Sequence, residues 1–196
     1  IAKLGKDVKP LIEQAYSSTG QLAELFKDIM TVSEIDNGST PHYENKTAFE
    51  LSKLVADCIQ QLRPKADAKK IALSFHSSSE KASIHADPNE VKDILSKLIE
   101  NAIKYTAKGY VSVALKQEKH HVIVTIEDSG VGIPQEDRKR LFKKFARLDN
   151  RLTREIGGTG LGLYIAQSLA ERNHGKVTLE HSSSKGSMFS LELPLE

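Results

Sequence analysis

The segment "DSGVGIP", residues 128–134, places a carboxylate and two glycines where they could contact a flat ligand. Asp128 ends an apolar strand pattern, and its carboxylate could accept a hydrogen bond from an exocyclic amine such as that of adenine. Gly130 and Gly132 have no side chains, so the backbone could approach a base closely. Taken alone, such a glycine pair is more typical of an ordinary turn.

A second glycine-rich segment, "GGTGLGL" at residues 157–163, precedes a predicted helix. Gly158, Gly160 and Gly162 alternate just before that helix, and the N–H groups of a helix N-terminus can bind phosphate. The spacing G-x-G-x-G is neither the dinucleotide-binding fingerprint nor a P-loop, and Gly-Lys-Ser/Thr does not occur in the sequence. The two segments are therefore either separate turns or two walls of one nucleotide pocket.

A polar face on the strongest predicted helix, residues 87–105, offers the charges that such a pocket needs. Lys97, Asn101 and Lys104 are spaced by four and three residues, so they share one face of the helix. An amide oxygen can ligate Mg²⁺, and an ammonium group can neutralise phosphate. A polar row on a helix is otherwise typical of a solvated surface, and this alternative stays open.

The elements around these segments predict an α+β fold, a two-layer sandwich of a mixed β-sheet and helices. Helices are predicted at 47–62, 87–105 and 160–173, and strands at 71–76, 110–115, 121–128, 176–181 and 187–194. The helix at 87–105 has an apolar stripe made of Val91, Ile94, Leu95, Leu98, Ile99, Ala102 and Ile103. Asp87 can cap this helix, and Glu90 is placed to complete a capping box.

The first 40 residues have a different pattern. Residues 9–36 predict one long helix with a heptad seam, interrupted by Ser18 and formed by Leu11, Ala15, Leu22, Leu25, Ile29 and Val32. A narrow seam of this kind favours packing against another helix, although packing on its own domain is the alternative. The segment "DNGSTP" at 36–41 then predicts a turn or linker.

Composition excludes some classes of function. The chain has 196 residues and a net charge of +2, which gives no reason to expect nucleic acid as a partner. Cys58 is the only cysteine, so an intrachain disulfide is excluded. The sequence has no apolar run long enough to span a bilayer. We expect a cytoplasmic protein, whose parent could still carry a membrane anchor upstream.

Four segments together resemble the motifs of sensor histidine kinases. "IENAIKYT" is similar to the N-box, "DSGVGIP" to the first glycine box, "LFKKFARLD" (141–149) to the F-box, and "GGTGLGL" to the second glycine box. They occur in the family's order and spacing. The resemblance covers about residues 45–196 and implies the fold shared with gyrase, Hsp90 and MutL ATPases. It favours two domains: 1–40, similar to the second helix of the dimerisation and phosphoacceptor hairpin plus a linker, and 41–196, the catalytic ATP-binding domain.

The resemblance implies ATP and Mg²⁺ as cofactors and assigns a role to individual residues. The nucleotide-binding set that it implies is Asn101, Lys104, Tyr105, Asp128, Gly130, Gly132, Arg147, Gly158, Thr159, Gly160, Leu161 and Gly162. Asn101 would ligate Mg²⁺, and Asp128 would hydrogen-bond the adenine amine. Phe142 and Phe145 would anchor a mobile lid at about 146–158, although both could instead be core residues. Arg147 would reach the phosphates or remain a solvated charge.

Two departures from the family pattern concern activity. Lys97 occupies a position where the family usually has an asparagine that helps to hold Mg²⁺, and where the related ATPases have a glutamate that activates water. None of the seven histidines has the phosphoacceptor setting. We therefore expect the acceptor histidine on a separate helix, a response regulator as the later acceptor, and a homodimer formed through the helical hairpin in the full-length parent.

Three functions remain open at this point. The first is a protein-histidine kinase that transfers the γ-phosphoryl group of ATP. The second is a degenerate kinase that acts as a nucleotide-sensing or scaffold module, because Lys97 has impaired the metal site. The third is a mechanochemical ATPase of the same fold, which the lack of a glutamate at position 97 disfavours.

Overall fold

The computed structural model describes residues 8–38, 45–78, 82–147 and 158–196. The backbone divides into two compact units, Ile1–Ser39 and Thr40–Glu196. The first unit holds one helix, α1 (Val8–Asp36). Seam residues Leu11 and Leu22 of this helix are 64% and 66% exposed. Within the described ranges, no helix has the length and apolarity needed to cross a membrane.

The second unit is an α+β sandwich, as the sequence predicts. Its strands are β1 (Thr47–Glu50), β2 (Ile71–Ser77), β3 (Ser83–Ala86), β4 (Gly109–Gln117), β5 (His121–Asp128), β6 (Lys176–Ser183) and β7 (Gly186–Pro194). Its α-helices are α2 (Leu51–Ala68), α3 (Pro88–Tyr105) and α4 (Gly162–Arg172). Arg138–Arg140 form a short 3₁₀ turn.

The main sheet has the strand order β2-β4-β5-β7-β6. The pairing of β2 with β4 is parallel, and the other three pairings are antiparallel, so the sheet is mixed. Strand β5 alternates between buried and half-buried residues, and Val122, Val124 and Ile126 form its buried row. Asp128 continues this buried row at the end of the strand. The alternation therefore carries one carboxylate into the layer between the sheet and the helices.

Helix α3 packs with the stripe that its sequence predicts. All seven apolar residues of that stripe are buried, and the Asp87 carboxylate caps the helix by accepting hydrogen bonds from the N–H groups of Asn89 and Glu90, at 2.8 and 3.3 Å. The polar face that carries Asn101 is left at the boundary between core and solvent. Burial of the stripe thus sets the rotation of the helix and the direction of its polar residues.

The bounds predicted for the helix at 47–62 are wrong at both ends. Residues 47–50 form β1, which pairs with β3, a strand that the sequence analysis did not predict. Thr47 and Phe49 are β-branched and aromatic residues, which favour strands over helices. Helix α2 begins at Leu51 and continues to Ala68, past Pro64. Buried Leu62 and Ala66 flank this proline, so packing against the core offsets the hydrogen bond that proline cannot donate.

Candidate functional site

The polar face of α3 lies against the segment that opens α4. A Cβ added to Gly162, the first residue of α4, would lie 3.6 Å from Cδ of Lys97 and 3.8 Å from Nδ2 of Asn101. A Cβ on Gly158 would collide with Nζ of Lys104. The three predicted polar residues of α3 and the second glycine-rich segment are therefore neighbours, and larger side chains at these glycines would fill the space between them.

Close backbone packing and a local hydrogen bond hold the glycine segment 158–162 in place. Gly160 has a φ of +72°, and a Cβ there would lie 2.8 Å from the carbonyl carbon of Phe145 and 2.9 Å from the carbonyl oxygen of Ala146. The hydroxyl of Thr159 accepts a hydrogen bond from the N–H of Leu161 at 3.1 Å. Leu161 itself is fully buried, so only its main chain could face a ligand. These contacts fix the path of the chain into α4.

Asp128 is a buried carboxylate at the end of β5. It is 8% exposed, and it accepts a hydrogen bond from the N–H of Gly130 at 2.8 Å. Burial raises the pKa of Asp128, while hydrogen bonds from the main chain of Gly130 and Ser187 lower it and the neighbouring Glu127 raises it further. An acceptor that is desolvated in this way gains more from a ligand N–H than an exposed carboxylate does.

The two glycines after Asp128 pack against different parts of the protein. A Cβ on Gly130 would collide with the carbonyl oxygen of Tyr105, the last residue of α3. Gly132 has a φ of +67°, and its Cβ would collide with the carbonyl oxygen of Ser183 in the β6–β7 hairpin. Gly130 therefore joins the Asp128 turn to the end of α3. The sequence predicts Gly132 beside a base, and in the structure its lack of a side chain also lets the turn pack against Ser183.

Two cationic side chains, those of Lys104 and Arg147, lie near the ring of Tyr105. Nζ of Lys104 lies 5.6 Å from the centroid of the Tyr105 ring. Burial raises the pKa of Tyr105, and the positive charge of Arg147 lowers it in part, which places Arg147 within electrostatic range of the ring. The structure thus brings Arg147, 42 residues later in sequence, near the end of α3.

The F-box phenylalanines behave differently from one another. Phe142 is half-buried, but Phe145 is 66% exposed and has a φ of +60°. The alternative of Phe145 as a core residue is therefore wrong, while its role as a lid anchor stays a prediction; its backbone lies close to Gly160. Most of the predicted lid, residues 148–157, lies outside the described residues.

The few metal-ligating groups beside Gly162 suit a metal ion that is already coordinated by phosphates and water. In the part of the chain that the structure describes, no group of three or more histidine, cysteine, aspartate or glutamate residues could hold a metal. Asn101 can offer one amide oxygen. Mg²⁺ commonly takes one or two ligands from protein and the others from phosphates and water, so this set fits a metal–nucleotide complex better than a free ion.

Comparison with known proteins identifies the family. Residues 86–196, more than half of the chain, match the family described as histidine kinase-, DNA gyrase B- and HSP90-like ATPases. The chain belongs to this family. The matched residues belong to the catalytic ATP-binding domain of a sensor histidine kinase, which confirms the resemblance of the four sequence segments.

Similar proteins place the domain within longer chains. Sensor histidine kinase RppB of Synechocystis sp. (strain ATCC 27184 / PCC 6803 / Kazusa) is 33% identical over 176 residues, which cover 89% of this chain and 38% of RppB. Full-length ShkA in complex with AMPPNP has a TM-score of 0.82 at 24% identity, covering 98% of this chain and 40% of ShkA. Histidine kinase ThkA in complex with response regulator protein TrrA has a TM-score of 0.72 at 23% identity, covering 99% of this chain and 53% of that one. Both solved structures share the fold of this ATPase domain.

One contributor to the site was not found from the sequence. Ser187 donates its main-chain N–H toward the Asp128 carboxylate, and it pairs with Asp128 across β5 and β7. This donor is part of the backbone, so the residue type gives no signal. Only the register between β5 and β7, which pairs these two residues although 59 positions separate them in sequence, brings the donor to the site.

Proposed function

We propose that this chain binds Mg-ATP and transfers the γ-phosphoryl group to a histidine on a separate helix. The observation that supports the proposal best is the position of Asn101 and Lys104 against the glycines that open α4, within a domain of the histidine kinase ATPase family. An amide, an ammonium group and a helix N-terminus then meet at one place, which suits a polyphosphate.

Each wall of the site has its own role in this proposal. The Asp128 carboxylate accepts a hydrogen bond from the adenine amine, and Gly130 lets the base approach the backbone. Lys104 contacts phosphate, and Tyr105 lies beside the nucleoside. Arg147, which is exposed and near Tyr105, contacts the phosphates. Asn101 would ligate Mg²⁺, which when bound would neutralise charge on the transferred group.

The segment 158–162 completes the site in this proposal, and Gly132 shapes the adenine site by letting the Asp128 turn pack against Ser183. Gly158 and Gly162 leave room for a triphosphate beside the lysines of α3, and Gly160 lets the chain turn against Phe145 and Ala146. Thr159 and Leu161 present their main chain to the triphosphate. The protein contributes mainly positioning and charge neutralisation, because phosphoryl transfer requires little covalent chemistry from it. Lys97 cannot accept a proton from water while it is charged, so we expect slow hydrolysis of ATP.

The proposed partners follow from the longer relatives. We propose that residues 1–40 are the second helix of a dimerisation and phosphoacceptor hairpin plus a linker, and that residues 41–196 are the catalytic domain. The exposed seam of Leu11, Leu22 and Ile29 on α1 then pairs with other helices in a homodimer. The ThkA–TrrA complex supports a response regulator as the later phosphoryl acceptor. The domain would work in the cytoplasm, where ATP is available, whether or not its parent is anchored in a membrane.

The second candidate is a nucleotide-sensing module without transfer activity. The single observation in its favour is Lys97, whose stem lies with Asn101 beside Gly162 and brings a second lysine to the site. The name of the relative RppB, a sensor histidine kinase, favours the enzyme.

Incubation with ATP labelled on the γ-phosphate separates the candidates. The chain is mixed with a protein that supplies a helix bearing a phosphoacceptor histidine, and the label is followed on both proteins. We expect acid-labile, base-stable label on the helix and little free phosphate. Binding of ATP without any label transfer would favour the sensing module, and rapid release of free phosphate would favour an ATPase. A preparation with Asp128→Asn serves as the control for transfer that depends on the site.

A further inference from the structure

Two lysines of α3 reach opposite ends of the same glycine segment. Nζ of Lys104 lies against Gly158, and the aliphatic stem of Lys97 lies along Gly162, with Asn101 between the two. The ammonium group of Lys97 is only two bonds beyond the Cδ atom that approaches Gly162. Both lysine side chains are half-buried, so part of each stem is already ordered by packing. The start of α4 is therefore flanked by two cations from a single helix.

The chemistry of Lys97 opposes that of a metal ligand. An ammonium group has three donors and no acceptor, so it can bind phosphate oxygens but cannot coordinate Mg²⁺. It attracts a polyphosphate and repels a divalent cation at the same location. Asn101 remains as an oxygen donor, and the described part of the chain holds no cluster of carboxylates, imidazoles or thiolates that could strengthen metal binding.

We propose that Lys97 is a phosphate-binding residue that supplies part of the positive charge otherwise brought by Mg²⁺. The site then binds metal-free nucleoside polyphosphate almost as tightly as the magnesium complex. This inference rests on the proposed function, because it assumes that the phosphates lie at the start of α4. It adds a ligand form, the metal-free nucleotide, that this domain binds.

The effect on affinity has a defined sign for each form of the ligand. Metal-free ATP carries the larger negative charge, so it gains most from a second fixed ammonium group. Mg-ATP gains less, because the metal has already neutralised part of its charge and is repelled by Lys97. Lys97 therefore reduces the difference between the affinities for metal-free ATP and for Mg-ATP, and its removal increases that difference.

Calorimetric titration with ATP, in Mg²⁺ and in EDTA, tests the inference through binding alone. We expect Mg²⁺ to change the affinity of the unmodified chain by less than about threefold, and that of Lys97→Asn by about tenfold or more, which corresponds to about 1.4 kcal/mol. Lys97→Gln, which keeps much of the aliphatic stem, should behave in the same way. Lys176→Asn is the matched control, because it removes the same charge from the start of β6, where Lys176 pairs with Glu192.

The outcomes distinguish this inference from the proposed function. An equal ratio of affinities in Mg²⁺ and EDTA for the unmodified chain, Lys97→Asn and Lys97→Gln overturns the role of Lys97 while nucleotide binding stands. A larger Mg²⁺ effect in Lys176→Asn as well shows that general charge, and not position 97, is responsible. Absence of ATP binding in both conditions, in a chain whose thermal unfolding is cooperative, overturns the proposed function and this inference together.

Discussion

The main-chain N–H of Asp87 donates a hydrogen bond to Oδ1 of Asn173 at 3.0 Å, although 86 residues separate the two. The amide nitrogen of Asn173 in turn donates to the Glu90 carboxylate at 2.7 Å and to the Leu169 carbonyl at 2.9 Å. This network joins the first turn of α3 to the end of α4. The opposite end of α3 carries the polar face, and the opposite end of α4 begins at Gly162. The network therefore helps to set the relative position of the two helices that form the site.

Asn173→Ala should lower the free energy of unfolding by about 1–3 kcal/mol, because it leaves the buried N–H of Asp87 without an acceptor. Asn173 is 1% exposed, so water cannot readily replace the lost partner. Urea unfolding followed by circular dichroism measures the change. Asn89→Ala, at an exposed position of the same helix turn, is the control and should lie within about 0.5 kcal/mol of the unmodified chain. Equal midpoints for both variants would show that the network contributes nothing to stability.

The same network shows what local sequence patterns can and cannot predict. Asp87 caps α3 as predicted, because the acceptor and the N–H groups it serves are within three residues. The predicted capping box would also have Glu90 accept a hydrogen bond from the Asp87 N–H. In the structure that N–H donates to Asn173, and Glu90 pairs with Asn173 and Arg172. A long-range partner replaced the local one, and no spacing rule could have indicated it.

The candidate site, like this network, could be predicted from the sequence only in part. The side chains of Lys97, Asn101 and Lys104 could be placed on one face because helical periodicity is regular. Their contact with Gly158 and Gly162 could be inferred only from the family resemblance, because it depends on how two distant elements pack. The strand β1 was missed because its local signal is short, with only Thr47 and Phe49 favouring a strand, and because its pairing with β3 is a tertiary contact. The exposed ring of Phe145 was missed because the approach of its backbone to Gly160 is a tertiary contact.

Asp128→Asn should weaken ATP binding by about 1.5–3 kcal/mol, the usual worth of a hydrogen bond to a charged group. This corresponds to roughly tenfold to more than a hundredfold in the dissociation constant. Titration calorimetry measures the change. Glu127→Gln is the matched control: Glu127 is the preceding carboxylate, points to the other face of β5, and accepts a hydrogen bond from the Tyr110 hydroxyl at 2.9 Å. Unchanged affinity in a folded Asp128→Asn variant would remove Asp128 from the adenine site.

The raised pKa of Asp128 predicts a direction for the pH dependence of stability. Its ordinary value is 3.8, and burial raises it in the folded protein. The folded protein then takes up a proton at a higher pH than the unfolded chain does, so the contribution of this carboxyl to stability improves as the pH falls through the folded-state pKa. The stability of Asp128→Asn relative to the unmodified chain should therefore be highest above the folded-state pKa and decrease as the pH falls through that pKa towards the ordinary value of 3.8. Urea unfolding of both chains at each pH measures this difference, and a constant or increasing difference would contradict the assignment of burial as the dominant cause.

Gly130→Ala should lower both nucleotide affinity and stability, through a single steric conflict. The new methyl group would collide with the carbonyl oxygen of Tyr105 and lie 2.8 Å from Oδ1 of Asp128. The backbone atoms of Tyr105 cannot move without displacing the end of α3, so the Asp128 turn has to shift. Overpacking of this kind costs about 1–3 kcal/mol of unfolding free energy, and the shifted carboxylate should bind ATP more weakly. We would measure the urea midpoint and the ATP dissociation constant together.

Gly20→Ala is the control that separates the collision from the substitution itself. Gly20 lies within α1, and a Cβ there would meet no atom within 4 Å. The added methyl group should stabilise that helix by about 0.5–1 kcal/mol, because glycine loses more backbone entropy than alanine on folding. ATP affinity should be unchanged by Gly20→Ala. If Gly130→Ala also bound ATP with unchanged affinity, the contact between the Asp128 turn and Tyr105 would have no part in holding the adenine site, and the position of Asp128 would depend on its strand neighbours in β4 and β7.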